Sequence, residues 1–295
     1  MEHYPKFLID TLRKQDKRKG FTLVICFSRR WCVAPFFDRF KKLKFDRAKC
    51  HLLIFDNTDN VLLEQELIDA VAPLRKEFLS LRYYKTYRQG GYVVRGEPNN
   101  DFYKSKIFPI SQMQFDIPKL VHTKTFVQLE DDELPQNPNT ITRLLYLLSL
   151  KNVGLATGVS SARNPDLKPV GMGVHQVVEM QGDRIIKRIC CSPDTKGVVE
   201  VQATGFYCFA TYRDLWIKCL NDSKKSVSGL PHWAFDTWVT HRIIKRKLKI
   251  LADFSLWCDH LQIIPKGVYF FNKKDAKLDV YVYVPDLNVY AYAQK

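Results

Sequence analysis

Short apolar runs rich in β-branched residues alternate along this chain with longer segments whose apolar positions recur at helical spacing. Residues 21–27, F-T-L-V-I-C-F, follow Gly20 as a near-continuous hydrophobic run, the pattern of a central parallel strand. Residues 31–43 then mix apolar and basic positions with helical spacing, and Pro35 lies near the start, where a proline is tolerated. Residues 49–55, K-C-H-L-L-I-F, predict a second strand. It ends in Asp56-Asn57-Thr58-Asp59-Asn60, which reads as a turn and a helix start. The spacing predicts a helix over 61–81, interrupted at Pro73. Strand, helix, strand, helix in this order points to a parallel sheet.

Further on, the pattern predicts strands over 119–129, 153–159, 197–209 and 248–251, and helices over 139–150, 212–220 and 235–246. The segment 83–118 is less regular and predicts a short strand, a loop, and a helix near 102–114. Prolines and glycines between 163 and 195 surround an alternating stretch, 174–180, as in a hairpin or an active-site loop. Residues 223–229 read as a polar linker, and alternating aromatics from 262 to 295 predict edge strands or a hairpin. The basic run 13–19 is expected on a short helix and its exit.

The stretch T-F-V-Q-L-E-D-D-E-L-P, 125–135, changes this picture, because its apolar run stops at Glu130, Asp131, Asp132 and Glu133. Pro135 rules out a continuing helix, so the carboxylates belong at the C-terminal end of a strand, where open α/β sheets place their ligands. Oxygen ligands so grouped suit Mg²⁺ or Mn²⁺, which in turn can hold a diphosphate. The alternative is a solvated acidic turn ahead of the next helix.

Composition narrows the class. With 46% hydrophobic and 13% aromatic residues in 295, the chain is globular and long enough for one large domain or two small ones. No apolar run approaches the roughly 20 residues that cross a bilayer, and the first residues lack a secretory pattern, so a soluble, cytoplasmic protein is expected, with peripheral membrane contact left open. The 8 cysteines include no C-x-x-C pair and several lie in apolar stretches, which predicts free buried thiols. A formal charge of +15 calls for a negatively charged partner such as nucleic acid, an anionic lipid surface or a phosphorylated substrate.

Separated features then fall into one order. The loop after the first strand (Phe27-Ser28-Arg29), the strand ending Ile54-Phe55-Asp56-Asn57-Thr58-Asp59, the carboxylates in Leu129-Glu130-Asp131-Asp132, Ala203-Thr204-Gly205-Phe206, Phe235-Asp236, and His260 resemble the motifs of GT-A fold glycosyltransferases. The match is most similar to the large inverting family 2, which uses nucleotide-diphosphate sugars. The chain departs from that pattern at Ser28-Arg29-Arg30, at Glu130 in place of the first aspartate, and at Phe235 before Asp236.

The resemblance implies a mostly parallel Rossmann-like α/β sheet flanked by helices. It implies a transferase domain over 1–262, with a nucleotide-binding half near 20–135 and an acceptor half near 136–262, followed by a β extension over 263–295. It implies that Asp132, Glu130 and His260 hold Mn²⁺ or Mg²⁺, and that Phe27, Ser28, Arg29, Asp56, Asp131 and Gly205 line the donor site. Asp236 would be the base that takes the acceptor hydroxyl's proton in an inverting hexosyl or pentosyl transfer from a UDP-sugar. Each residue has a plainer reading as well: Asp56 as a helix N-cap, Asp236 as a carboxylate favoured by a helix dipole, His260 as a surface histidine, Arg29 as a solvated charge. The acceptor stays open between a flipped-out nucleic-acid base, which would be DNA modification, and an anionic or lipid-linked glycan. The basic runs 39–44 and 242–249 are the candidate surfaces for it. Other classes compatible with the residues are a non-catalytic nucleic-acid-binding protein and a metal-dependent nucleotidyltransferase or nuclease.

Overall fold

The computed structural model describes residues 5–57, 60–86, 113–160, 173–181, 184–192, 194–223, 235–264, 267–271, 279–284 and 289–293. In chain order the elements are β1 (Lys6–Asp10), β2 (Phe21–Phe27), α1 (Val33–Phe40), β3 (Cys50–Asp56), α2 (Val61–Val71), β4 (Ser80–Lys85) and α3 (113–120). Next come β5 (Thr125–Glu130), β6 (Glu133–Pro135), α4 (Thr140–Leu148), β7 (Val153–Ser160), β8 (Val174–Gln181), β9 (Arg184–Cys190), β10 (Val198–Val201) and β11 (Ala203–Thr204). The chain closes with β12 (Cys208–Tyr212), α5 (Arg213–Ser223), α6 (Phe235–Lys245), β13 (Lys249–Ile264), β14 (Gly267–Phe271), β15 (Asp279–Val284) and β16 (Val289–Ala293).

One mixed sheet organises most of these strands in the order β1-β4-β3-β2-β5-β12-β7-β13-β14-β15-β16, with β6 and β10 paired to β13, and β11, β8 and β9 form a separate three-stranded sheet. β4, β3, β2 and β5 are mutually parallel, as are β7 and β13, while β12 runs antiparallel between β5 and β7. β2 and β3 are buried at every position, as their near-continuous apolar runs require of strands covered on both faces. α1 presses Phe36, Phe37 and Phe40 onto β2, and Phe27 meets the Phe36 and Phe37 rings at 5.2 and 5.7 Å. Gly20 enters β2 at φ +62°, and a Cβ there would sit 1.8 Å from the Lys49 carbonyl oxygen. Among the described residues no helix is long and apolar enough to cross a membrane.

Several boundaries differ from the sequence expectation. The helix over 61–81 stops at Val71, Pro73 lies in a 3-10 turn, and β4 already starts at Ser80. Its N-cap is Asn60, whose side chain accepts from Leu62 and Leu63 N–H, so Asp56 is not the cap. The strand over 119–129 begins only at Thr125, because α3 runs to 120. The four-residue strand at 248–251 is the start of β13, which runs 16 residues. Its later positions include Asp253, Asp259 and His260, all buried and ion-paired, so hydrophobicity could not reveal the strand. The acidic stretch is not a plain turn: Asp131 and Asp132 turn, and Glu133 opens β6. The basic run 13–19 holds a 3-10 turn at Lys14–Asp16. Thr58, Asp59, the expected loop and most of the expected helix near 102–114, the first part of the expected hairpin and most of the linker 223–229 lie outside the described residues. All the cysteines are free thiols, and apart from Cys190 they are buried.

Candidate functional site

Parallel pairing of β2 with β5 brings two strand ends together, and the Asp131 N–H donates to the Cys26 carbonyl at 3.0 Å. The Asp131 carboxylate then caps the loop after β2. It accepts from Ser28 N–H at 2.7 Å, from Arg29 N–H at 2.8 Å, and from Arg29 Nη1 at 2.5 Å. Burial pushes Asp131 up to about 6, with the Arg29 charge pulling it down and the Asp132 charge pushing it up. For Arg29, burial works against the charge, but Asp132 and Asp131 outweigh it and hold the guanidinium above its ordinary value. The same Nη1 lies 3.1 Å from Asp132 Oδ2.

β6 and β13 supply the rest. Glu133 faces His260 in register, and Leu261 N–H donates to the Asp132 carbonyl at 2.7 Å. His260 therefore stands between two carboxylates, with Nε2 3.4 Å from Asp132 Oδ2 and Nδ1 3.3 Å from Glu133 Oε1. Ser160, at the end of β7, donates to Glu133 Oε2 at 2.6 Å. Asp132, Glu133 and His260 are all buried, and one ligand atom from each lies within 4.8 Å of the others. Atoms bound at about 2.0–2.2 Å around one ion are separated by no more than roughly twice that, so these side chains need only small movements to share a cation.

A further carboxylate is built in from the other side. Asp236 is the second residue of α6, with Thr237 N–H donating to its Oδ1 at 2.6 Å. Thr240, one turn on, ties the helix to β11: its hydroxyl accepts from Thr204 N–H at 3.1 Å and lies 3.1 Å from the Thr204 carbonyl. Gly205 follows directly, and a Cβ on it would lie 3.4 Å from Asp236 Oδ2 and 2.7 Å from the Tyr207 ring. The Tyr207 carbonyl accepts from Glu130 N–H at 3.0 Å, which links this corner to the end of β5.

The structure thus brings Ser28, Arg29, Asp131, Asp132 and His260 into one cluster, with Gly205 and Asp236 together beside the end of β12. Glu130 ends β5 half-buried, while Glu133 occupies the position beside His260. Phe27 lies in the core, so only its main chain reaches the strand end. Asp56 ends β3 buried against Lys85, accepting from its Nζ at 2.7 Å and from the Tyr83 hydroxyl at 2.7 Å, and the same Nζ lies 3.4 Å from Glu64 Oε2. Lys85 is only 1% exposed and Asp56 0%. The residues that sequence reasoning missed are Glu133 and Ser160. Glu133 was visible as the last of four carboxylates, but only β6 pairing shows that it faces His260; Ser160 had no signal beyond ending an apolar strand. The basic run 242–249 leaves α6 at the end away from Asp236, about 14 Å along the axis at Lys245.

No family description matches the chain, and no curated protein matches it. Among solved structures it is similar to GalNAc-T7 with UDP, GalNAc and Mn²⁺, at 13% identity over 84% of this chain and 45% of that one, with a TM-score of 0.56. It is also similar to the mannosyltransferase PcManGT from Pyrobaculum calidifontis in complex with GDP-Man and Mn²⁺, at 12% identity over 82% of this chain and 56% of that one, with a TM-score of 0.49. The chain spans about half the length of these structures. The chain has the GT-A-like α/β fold, with a central sheet flanked by helices.

Proposed function

We propose that this protein is a metal-dependent glycosyltransferase that moves a sugar from a nucleotide-diphosphate sugar to an acceptor hydroxyl, with inversion. The observation that carries this reading is the buried trio Asp132, Glu133 and His260 at the strand ends of a GT-A-like sheet. Two carboxylate oxygens and an imidazole nitrogen suit Mn²⁺ better than Mg²⁺, because imidazole is a ligand for transition metals. When bound, such an ion neutralises charge developing on a departing diphosphate. Glu133 takes the ligand place that the sequence resemblance gives to Glu130.

The chain's own residues do the rest. Asp131 holds Ser28 and Arg29 in place through main-chain and guanidinium hydrogen bonds, which shapes the wall of the donor pocket. Arg29 keeps positive charge against the acidic cluster where a diphosphate would lie. Asp236 takes the proton of the acceptor hydroxyl at Oδ2, while Thr237 N–H orients the carboxylate through Oδ1. Gly205 leaves room beside that oxygen. In this reading residues 20–135 carry the donor, 136–262 the acceptor, and 263–295 extend the sheet. The base of the donor is proposed as uracil, and the proposed location is cytoplasmic.

Thermal unfolding with UDP, GDP and CMP, each with and without Mn²⁺, tests the proposal. A ligand at 100 times its Kd stabilises by about 2.7 kcal/mol. The expected result is a Mn²⁺-dependent shift with UDP that disappears in Asp132→Ala. No shift with any nucleotide overturns the reading. Asp236→Asn should keep the shift and lower turnover by roughly 10²–10⁴-fold, the usual contribution of a general base.

A further inference from the structure

Charge is divided between the two ends of this sheet. The carboxylate cluster sits at the C-terminal ends of β5 and β7 and in the upper half of β13. The other end gathers the entries of the parallel strands at one level, as the pairings Phe21–Cys50, Thr22–Phe126, Leu155–Thr211, Tyr212–Thr125 and Lys249–Val153 show. Within two residues of those entries stand Lys19, Lys49, Lys124, Lys151 and Lys247, every one exposed. The segment ahead of β2 adds Arg13, Lys14, Lys17 and Arg18, also exposed. It is fastened to this end because His51 Nε2 on β3 contacts the Asp16 and Lys19 carbonyls, both at 3.0 Å. From β3 to β13 the face spans about 24 Å, the width of five strand spacings. Along β13, Lys249 and His260 are separated by roughly 30 Å or more.

We propose that this basic end is a docking surface for an anionic lipid bilayer. Acidic residues offset part of the charge, as Asp16 and Asp46 do for Lys19 and Lys49. Lys14, Lys17, Arg18, Lys124, Lys151 and Lys247 add to the face beyond those pairs. Three further arginines nearby are engaged within the protein: Arg47 with Glu77 and the Phe40, Phe45 and Phe78 rings, Arg213 with the Pro118 carbonyl, Arg246 with Asp222. Apart from Arg13 and Arg18, what points outward is therefore lysine, a compact hydrated charge suited to diffuse attraction rather than to the forked contacts that arginine makes with nucleic acid. A level face of strand entries fits a plane. Leu150, 39% exposed immediately before Lys151, offers an apolar contact at the interface. This surface lies at the far end from the carboxylate cluster, so it anchors the protein whatever that cluster does.

Vesicle co-sedimentation tests the proposal, using phosphatidylcholine vesicles with and without phosphatidylserine. The full chain should bind only the vesicles with phosphatidylserine and should be released near 1 M salt, where the Debye length is about 3 Å. Each surface lysine contributes a factor of about five in binding. The triple variant Lys17→Gln, Lys151→Gln, Lys247→Gln should therefore bind roughly 100-fold more weakly, with unchanged thermal unfolding. The triple Lys6→Gln, Lys187→Gln, Lys196→Gln removes equal charge elsewhere and should bind within a few-fold of wild type. Equal weakening by both triples, or no vesicle binding, overturns the proposal. So does tight binding to duplex DNA without vesicle binding, which would assign the face to nucleic acid instead.

Discussion

β3 and β5 flank β2 on either side, run parallel to it, and both lead into buried carboxylates, yet the two ends are built differently. At the end of β3, Asp56 meets its counter-charge within the chain: Lys85, on the neighbouring β4, lies 2.7 Å away and is equally buried. At the end of β5, Asp131, Asp132 and Glu133 crowd together with Arg29 and His260 in ion-pair distance. Among the described residues three carboxylates there group with one guanidinium and one imidazole, and Asp132, Glu133 and His260 bring ligand atoms within 4.8 Å of one another. A buried pair stabilises a fold only while both partners remain, whereas carboxylates grouped with an imidazole are a donor set for a metal ion. The difference teaches which strand end is structural and which is the candidate for chemistry.

The largest expected effect breaks the buried pair. Lys85→Met leaves Asp56 buried with its nearest cation removed, and chemical denaturation should show a loss of about 3–5 kcal/mol. A loss below about 1 kcal/mol would mean that Asp56 is not held by that pair. The cluster should respond differently. Asp132→Ala removes one of the crowded carboxylates while Arg29 keeps Asp131, so it should cost less metal-free stability than Lys85→Met, and remove a Mn²⁺-plus-nucleotide gain of about 2.7 kcal/mol at 100 times the Kd. A large metal-free loss would make the cluster structural, like its neighbour.

Gly205→Ala probes the corner beside the cluster. Its methyl would press on the Tyr207 ring, 2.7 Å from the ideal Cβ, and stand against Asp236 Oδ2. Overpacking of this kind costs about 1–3 kcal/mol, read as a lower Tm, and turnover should fall further than stability explains. The smallest effect extends the contrast along β13. Asp253 is buried, and although burial alone would raise its pKa, hydrogen bonds from Arg143 and Ser255 hold it below 3.8. A depressed carboxylate contributes stability above its unfolded pKa and loses it as pH falls through the folded value. Wild-type stability should therefore fall with acid below pH 3.8, and Asp253→Asn should flatten that slope by about 1 kcal/mol or less. An unchanged slope would show that the pair adds nothing.

The sequence by itself determined the parallel strands β2 and β3, buried at every residue, because a strand covered on both faces is apolar at nearly every position. It also located the carboxylates after β5, the glycine before Tyr207 and the acid at the start of α6, since these are residue types that few structural roles call for. The partners across the sheet were beyond its reach. Nothing local says that Glu133 faces His260, 127 residues later, or that Ser160 donates to it; register between β6 and β13 decides that. Nor does the sequence show that Asp56 is buried against Lys85, which depends on parallel pairing of β3 with β4. The length of β13 was hidden for the same reason, because its buried Asp253, Asp259 and His260 are paid for by partners from other strands and helices. Periodicity records which face of an element is dry; it does not record which charged group waits on the other side.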